Sequence, residues 1–119
     1  MSIRVPLEEL AAAIAERGAG YLLTAAGSHR PHAMHLTFTV EPAEEEGAGG
    51  RVALRALIGR SAAANIGAQP EVTLLWPPSE DGGYSLIVDA DARVEGTPDG
   101  DQPPTVVAMP IGAVLHRPA

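Results

Sequence analysis

Apolar and polar positions alternate along most of this chain. Between Pro31 and Val40, His32, Met34, Leu36, Phe38 and Val40 fall on one face, and Ala33, His35, Thr37 and Thr39 on the other. Between Arg51 and Ile58, Val52, Leu54, Ala56 and Ile58 oppose Arg51, Ala53 and Arg55. Between Tyr84 and Glu95, Tyr84, Leu86, Val88, Ala90, Ala92 and Val94 oppose Ser85, Asp89, Asp91, Arg93 and Glu95, with Ile87 as the exception. A period of two marks a strand with one wet face and one core-facing side. Tyr21–Ala26, Glu71–Trp76 and Thr105–Arg117 are further strands, the last expected to be interrupted at Pro110, which has no N–H to donate to a ladder.

Two segments carry a helical signal. Leu7, Leu10 and Ile14 follow helical spacing over residues 7–17, with Pro6 before them and Glu8 and Glu9 in the first turn. The glycines Gly18 and Gly20 end that segment. Ser61–Gln69 is the second helix, with Ser61 as its N-cap and Pro70 as its stop. Residues 27–28, 41–50 and 96–104 are turn or loop. Six strands and two short helices, without a βαβ rhythm, predict a mainly β fold: one domain over residues 1–119, its antiparallel sheet curled into a small barrel.

Composition removes several function classes. The 119 residues contain no cysteine, which excludes thiolate metal sites, disulfides and thiol nucleophiles. All eight basic residues are arginine, so lysine chemistry is absent. Net charge is −7, and eight of the fifteen acids fall in predicted loops. No basic patch suited to nucleic acid is visible, and aromatic residues are too few for a base-stacking platform. No apolar run is long enough to span a membrane as a helix and no signal peptide is visible, so a cytoplasmic protein is expected.

One segment concentrates candidate chemistry. Arg51 and Arg55 on one strand face run into Gly59-Arg60-Ser61 and a helix. Free N–H groups at the helix start, its positive dipole end, the Arg60 charge and the Ser61 hydroxyl can cradle a phosphate. In the plainer reading, Ser61 caps the helix and the arginines offset acidic loops. His29, His32 and His35 are a poor metal set, because strand alternation turns His32 and His35 to opposite faces; no metal is expected. His35, beside Thr37 on the polar face, is a candidate ligand contact or a surface histidine. Asp89 and Asp91 are a polar row, and Trp76 before Pro77-Pro78 is a packing residue. No nucleophile elbow, paired catalytic carboxylates, Walker loop or dinucleotide fingerprint occurs. The catalytic residues stay unassigned.

The ordered set YLLTAAGSHRPHAMHLTFTV, RVALRALIGRSAAANIGAQPEVTLLW and YSLIVDADARVEG resembles the pyridoxamine 5′-phosphate oxidase-like family of flavin-binding split barrels. The likeness covers about residues 6–117, and the closing AVLHRPA resembles the last strand of small actinobacterial-type members. It implies a six-stranded split β-barrel that forms a homodimer, with FMN or the deazaflavin coenzyme F-420 between the subunits. The phosphate would be held by Arg55, Arg60 and Ser61, with Asn65 a lesser contact, and the ring would run along His35, Leu36 and Thr37. The implied activity is hydride or electron transfer to a small organic substrate. The alternatives are a non-catalytic flavin- or haem-binding carrier or sensor, and a dimeric barrel that has lost its cofactor. The family often places a lysine beside the phosphate; here Arg60 must substitute. Its vitamin B6 oxidases have a longer C-terminal part than this sequence shows, so B6 oxidation is not expected.

Overall fold

The computed structural model describes residues 1–26, 30–43, 51–96 and 100–118. Among the described residues, eight strands form one antiparallel sheet: β1 (Ser2–Arg4), β2 (Gly20–Thr24), β3 (His32–Leu36), β4 (Thr39–Pro42), β5 (Val52–Leu57), β6 (Glu71–Trp76), β7 (Ser85–Glu95) and β8 (Thr105–His116). A 3-10 turn at Leu7–Glu9 leads into helix α1 (Leu10–Ala15), and α2 spans Arg60–Ala68. Among the described residues, no helix is long and apolar enough to cross a membrane.

The strand order is β3-β2-β6-β7-β8-β5-β4, with β1 paired to the C-terminal part of β8. The outermost strands of that order, β3 and β4, are separated in sequence only by Thr37 and Phe38. Three peptide steps span at most about 11 Å. The two edges of the sheet are therefore held together, and the sheet must curl. Phe38 at the joint turns inward, buried, with its ring centroid 5.7 Å from that of Trp76. This is the barrel that the alternation predicts.

The details depart from the sequence reading in four places. Six strands become eight: β1 was not expected, and the 31–40 strand divides, since its first half pairs with β2 and its second with β5. Glu41 and Pro42, read as loop, belong to β4; residues 44–50 lie outside the described residues. The first helix is shorter than residues 7–17, beginning as a 3-10 turn. Pro110 does not interrupt β8. The register steps from Asp89↔Gly112 to Ala90↔Pro110, so Ile111 is the extra residue of a β-bulge. A bulge leaves the ladder locally unpaired, which is where proline is tolerated.

The core lies inside the curl. Leu22, Leu74 and Val88 occupy successive strands in register, with Trp76, Leu54, Leu86 and Val106 around them. Leu10 and Ile14 of α1 and Ala62 and Ile66 of α2 bury into the same cluster. Trp76 donates its indole N–H to the Gly18 carbonyl at 3.0 Å, so its polar atom is satisfied in the interior. Gly18 ends the α1 segment in the left-handed region, with φ +74.

Candidate functional site

β5 delivers the chain to α2 through Ile58 and Gly59. Gly59 is extended and is the residue before the first helical turn; its carbonyl accepts from the Ala63 N–H at 3.1 Å. Arg60 is thus the first helical residue and Ser61 the second. The expectation of Ser61 as N-cap is corrected: the cap position is Gly59, and no side chain among the described residues caps this helix. Ser61 stands exposed on the first turn.

Arg60 borders two cavities. The larger, of about 510 Å³, lies between α2 and the end of β7. Ala63, Gly67, Ala92, Val94 and Gly96 form an apolar wall, and Arg60 and Arg93 are the charged residues that line it. A Cβ built on Gly67 would meet nothing within 4 Å, so this wall faces open space. The smaller, of about 250 Å³, lies at the start of α2 against Gly100, Asp101, Gln102 and Pro104. Among the described residues, no carboxylate lines the larger cavity, whereas Asp101 lines the smaller. In the larger one Arg60 and Arg93 favour an anion; the first-turn N–H groups and the positive dipole end point toward the helix start, where the smaller one lies.

The other expected site residues are distributed. Arg55 lines neither cavity beside Arg60. Its Nε donates to Glu41 at 2.8 Å and its Nη1 to Glu95 at 2.6 Å, while Arg93 donates to the other Glu95 oxygen at 3.2 Å. The hydrogen bond from Arg55, then that from Arg93, holds the Glu95 carboxyl below its ordinary value; the same bonds from Glu95 and Glu41 raise Arg55. Asn65 turns toward the barrel, donating to the buried Thr24 hydroxyl at 3.0 Å. Leu36 packs half-buried against the core. His35 is exposed, its ring 4.9 Å from that of Tyr21, and Thr37 is exposed at the β3–β4 joint. The structure thus gathers Arg60 and Ser61 at one helix end, and His35 and Thr37 on a different strand surface.

His32 and His35 alternate on β3, His32 half-buried and His35 exposed; His29 lies outside the described residues. The His32 Nδ1 is buried without a hydrogen-bond partner among the described residues. Arg93 and the small residues of the cavity wall were missed by sequence reasoning. The signal was present: residues 62–64 of the second helix are three consecutive alanines, and Ala92 falls on the inward face of its alternating strand. Their common property is size, and its use appears only when α2 lies against β7.

No family model matches the chain. Two uncharacterized proteins, from Mycobacterium bovis and Mycobacterium tuberculosis, are each 40% identical to it over 121 residues, spanning 98% of this chain and 82% of theirs. The chain belongs to their family. A Listeria innocua protein assigned as a pyridoxamine 5′-phosphate oxidase superposes with a TM-score of 0.66 at 18% identity, covering 92% of this chain and 98% of that one. HutZ, the haem storage protein of Vibrio cholerae, gives 0.62 at 16%, covering 92% and 94%. The FAD binding protein of Mycobacterium smegmatis gives 0.61 at 14%, covering 98% and 100%. This member of the mycobacterial family therefore has the fold of the pyridoxamine 5′-phosphate oxidase-like split barrels, as the sequence resemblance implied.

Proposed function

We propose that this chain binds a phosphorylated flavin or deazaflavin, FMN or coenzyme F-420, and serves as a small oxidoreductase. The observation that carries this is the cavity between α2 and β7, which combines an apolar wall of small residues with Arg60 at the helix start. A flat ring system needs a wall without bulky side chains, and a phosphate needs a fixed cation with N–H donors. Arg60, Ser61 and the first-turn amides would hold the phosphate. Ala63, Gly67, Ala92 and Val94 would face the ring. The cofactor, when bound, supplies the hydride chemistry; the protein's residues bind, orient and exclude water.

His35 and Thr37 line neither cavity that Arg60 borders. In this reading the protein is a homodimer, and a second copy brings them to the ring. A carrier reading is favoured by one feature of the same cavity: among the described residues its charged lining residues are arginines, which offer no general acid or base near neutral pH. HutZ shows that this fold is used by a haem storage protein.

Titration with FMN, FAD, F-420 and haemin separates these readings. Saturable binding of FMN or F-420, with a ring spectrum that bleaches on reduction, supports the cofactor site; turnover with a substrate makes it an enzyme. A Soret band with haemin and no flavin binding replaces it with the haem carrier. No binding of any of the four leaves a barrel that has lost its cofactor.

A further inference from the structure

The last part of β7 has an open edge. β6 begins at Glu71, the register partner of Asp91. Beyond Asp91, β7 therefore has β8 on one side and, among the described residues, no strand on the other. The Ala92 N–H donates to the Pro70 carbonyl at 2.9 Å, on the side where β6 lies. Main-chain groups of successive residues point to opposite sides of a strand. The N–H and C=O of Ala92 and of Val94 thus face the open side, and those of Arg93 and Glu95 face β8. Pro70 has no N–H to give in return. The Ala92 carbonyl is left without a ladder donor, and both main-chain groups of Val94 without ladder partners. An acceptor, a donor and an acceptor stand in a row: Ala92 C=O, Val94 N–H and Val94 C=O.

That row borders the cavity of about 510 Å³, with Ala92, Arg93, Val94 and Gly96 on one side and α2 on the other. Strand and helix run in opposite directions along it. Ala92 is tied to Pro70, just after α2. A Cβ built on Gly96 would lie 3.7 Å from the Cα of Pro104, whose carbonyl accepts from Ile58, just before α2. The cavity is a slot about 13 Å long by the rise of either element, with Arg60 at the Gly96 end. The open edge also explains how Arg93, on the outward face of β7, reaches a cavity walled by Ala92 and Val94. Across the slot stand Ala63, Ala64 and Gly67, none long enough to cover the edge.

We infer that this edge selects the ligand's ring: the main-chain groups of Ala92 and Val94 pair with a planar heterocycle that carries N–H and C=O side by side, an imide or lactam, while its anionic tail reaches Arg60. The inference rests on the cofactor reading above and deepens it. Flavin and deazaflavin rings present such an imide edge. A haem ring does not, since its nitrogens point into the macrocycle. Backbone groups bordering an apolar slot discriminate because a ligand without the matching groups leaves them unpaired. They do so whatever the side chains are. The sequence therefore marks this edge only by small residues and by the proline that follows α2.

Fluorescence titration of the wild-type protein with FMN, 3-methyl-FMN and F-420 tests this. The methyl group replaces the imide hydrogen of FMN and nothing else. The expected result is saturable FMN binding, weakened about 10-fold or more for 3-methyl-FMN. Val94→Pro removes the donor on the open side and leaves the β7–β8 ladder intact, a place where a strand accepts proline. It is expected to weaken FMN or F-420 by about 10-fold, with the far-UV spectrum checking its fold. Arg60→Ala acts at the other end of the slot, so it should weaken FMN and 3-methyl-FMN by the same factor. Equal affinity of the wild-type protein for FMN and 3-methyl-FMN overturns the edge and leaves the cofactor reading standing. So does a folded Val94→Pro that binds as the wild type does. Binding of neither FMN nor F-420, with or without binding of haemin, overturns both.

Discussion

Arg60 and Arg55 show how differently two arginines of one segment are used. Arg55 is held between Glu41 and Glu95, so an approaching phosphate meets two carboxylates with it. Arg60 makes no ion pair among the described residues and stands at a helix N-terminus. A charge-assisted hydrogen bond is worth about 1.5–3 kcal/mol net. Arg60→Ala is therefore expected to weaken FMN or F-420 binding by about 10- to 150-fold in a fluorescence titration, with Arg51→Ala as an exposed control. Unchanged affinity would place the phosphate elsewhere. Gly20 is constrained in another way. A Cβ built there would lie 2.7 Å from the Trp76 ring, which is buried and hydrogen-bonded to Gly18 and has no room to yield. Gly20→Ala should cost about 1–3 kcal/mol or more in denaturant unfolding, as overpacking does.

At the scale of elements, α2 and the ends of the strands decide the response to mutation and acid. Ser61 caps nothing among the described residues, so Ser61→Ala should leave the unfolding free energy within about 0.5 kcal/mol of wild type in a urea titration; losing a true cap would cost about 1 kcal/mol. Glu95 joins the end of β7 to β5 through Arg55. Its carboxyl is held below the ordinary 4.5, so the folded state binds that proton less readily than the unfolded state. The stabilisation is fully present above the unfolded value and is lost as pH falls through the folded one. Arg55 is raised above its ordinary value by its hydrogen bonds to Glu95 and Glu41 and stays charged throughout that window, so it adds no slope of its own. Urea midpoints measured from neutral pH down through pH 4.5 should fall less steeply for Glu95→Gln than for wild type. Equal slopes would show that the pair adds nothing in solution, as many exposed pairs do not.

For the molecule as a whole, the decisive joint is Thr37-Phe38, where one stretch of chain leaves one edge of the sheet and joins the other. Phe38 fills that joint against Trp76. Phe38→Ala should cost about 3–5 kcal/mol, the loss typical of a buried aromatic. Because the joint ties both edges, amide exchange should quicken in β3 and β4 together rather than in one of them. Protection lost from β3 alone would mean that the edges hold independently of the joint.

Alternation along residues 52–58, 71–76 and 84–94 determined which side chains enter the core, because a strand has only two faces and only one can be dry. The same arithmetic split His32 from His35, and helix start and stop signals placed Ser61 near the beginning of the second helix. Tertiary structure decided what has no local signature. A strand of uniform alternation divides at Thr37 because its two halves find different partners far away in sequence. Pro110 stays within β8 because the neighbouring strand allows a bulge. Arg55 is paired because Glu41 and Glu95 arrive from two other strands. The alanines of α2 became the wall of a cavity only when β7 was set across from them, since smallness is neutral in a helix and matters only where another surface stands opposite.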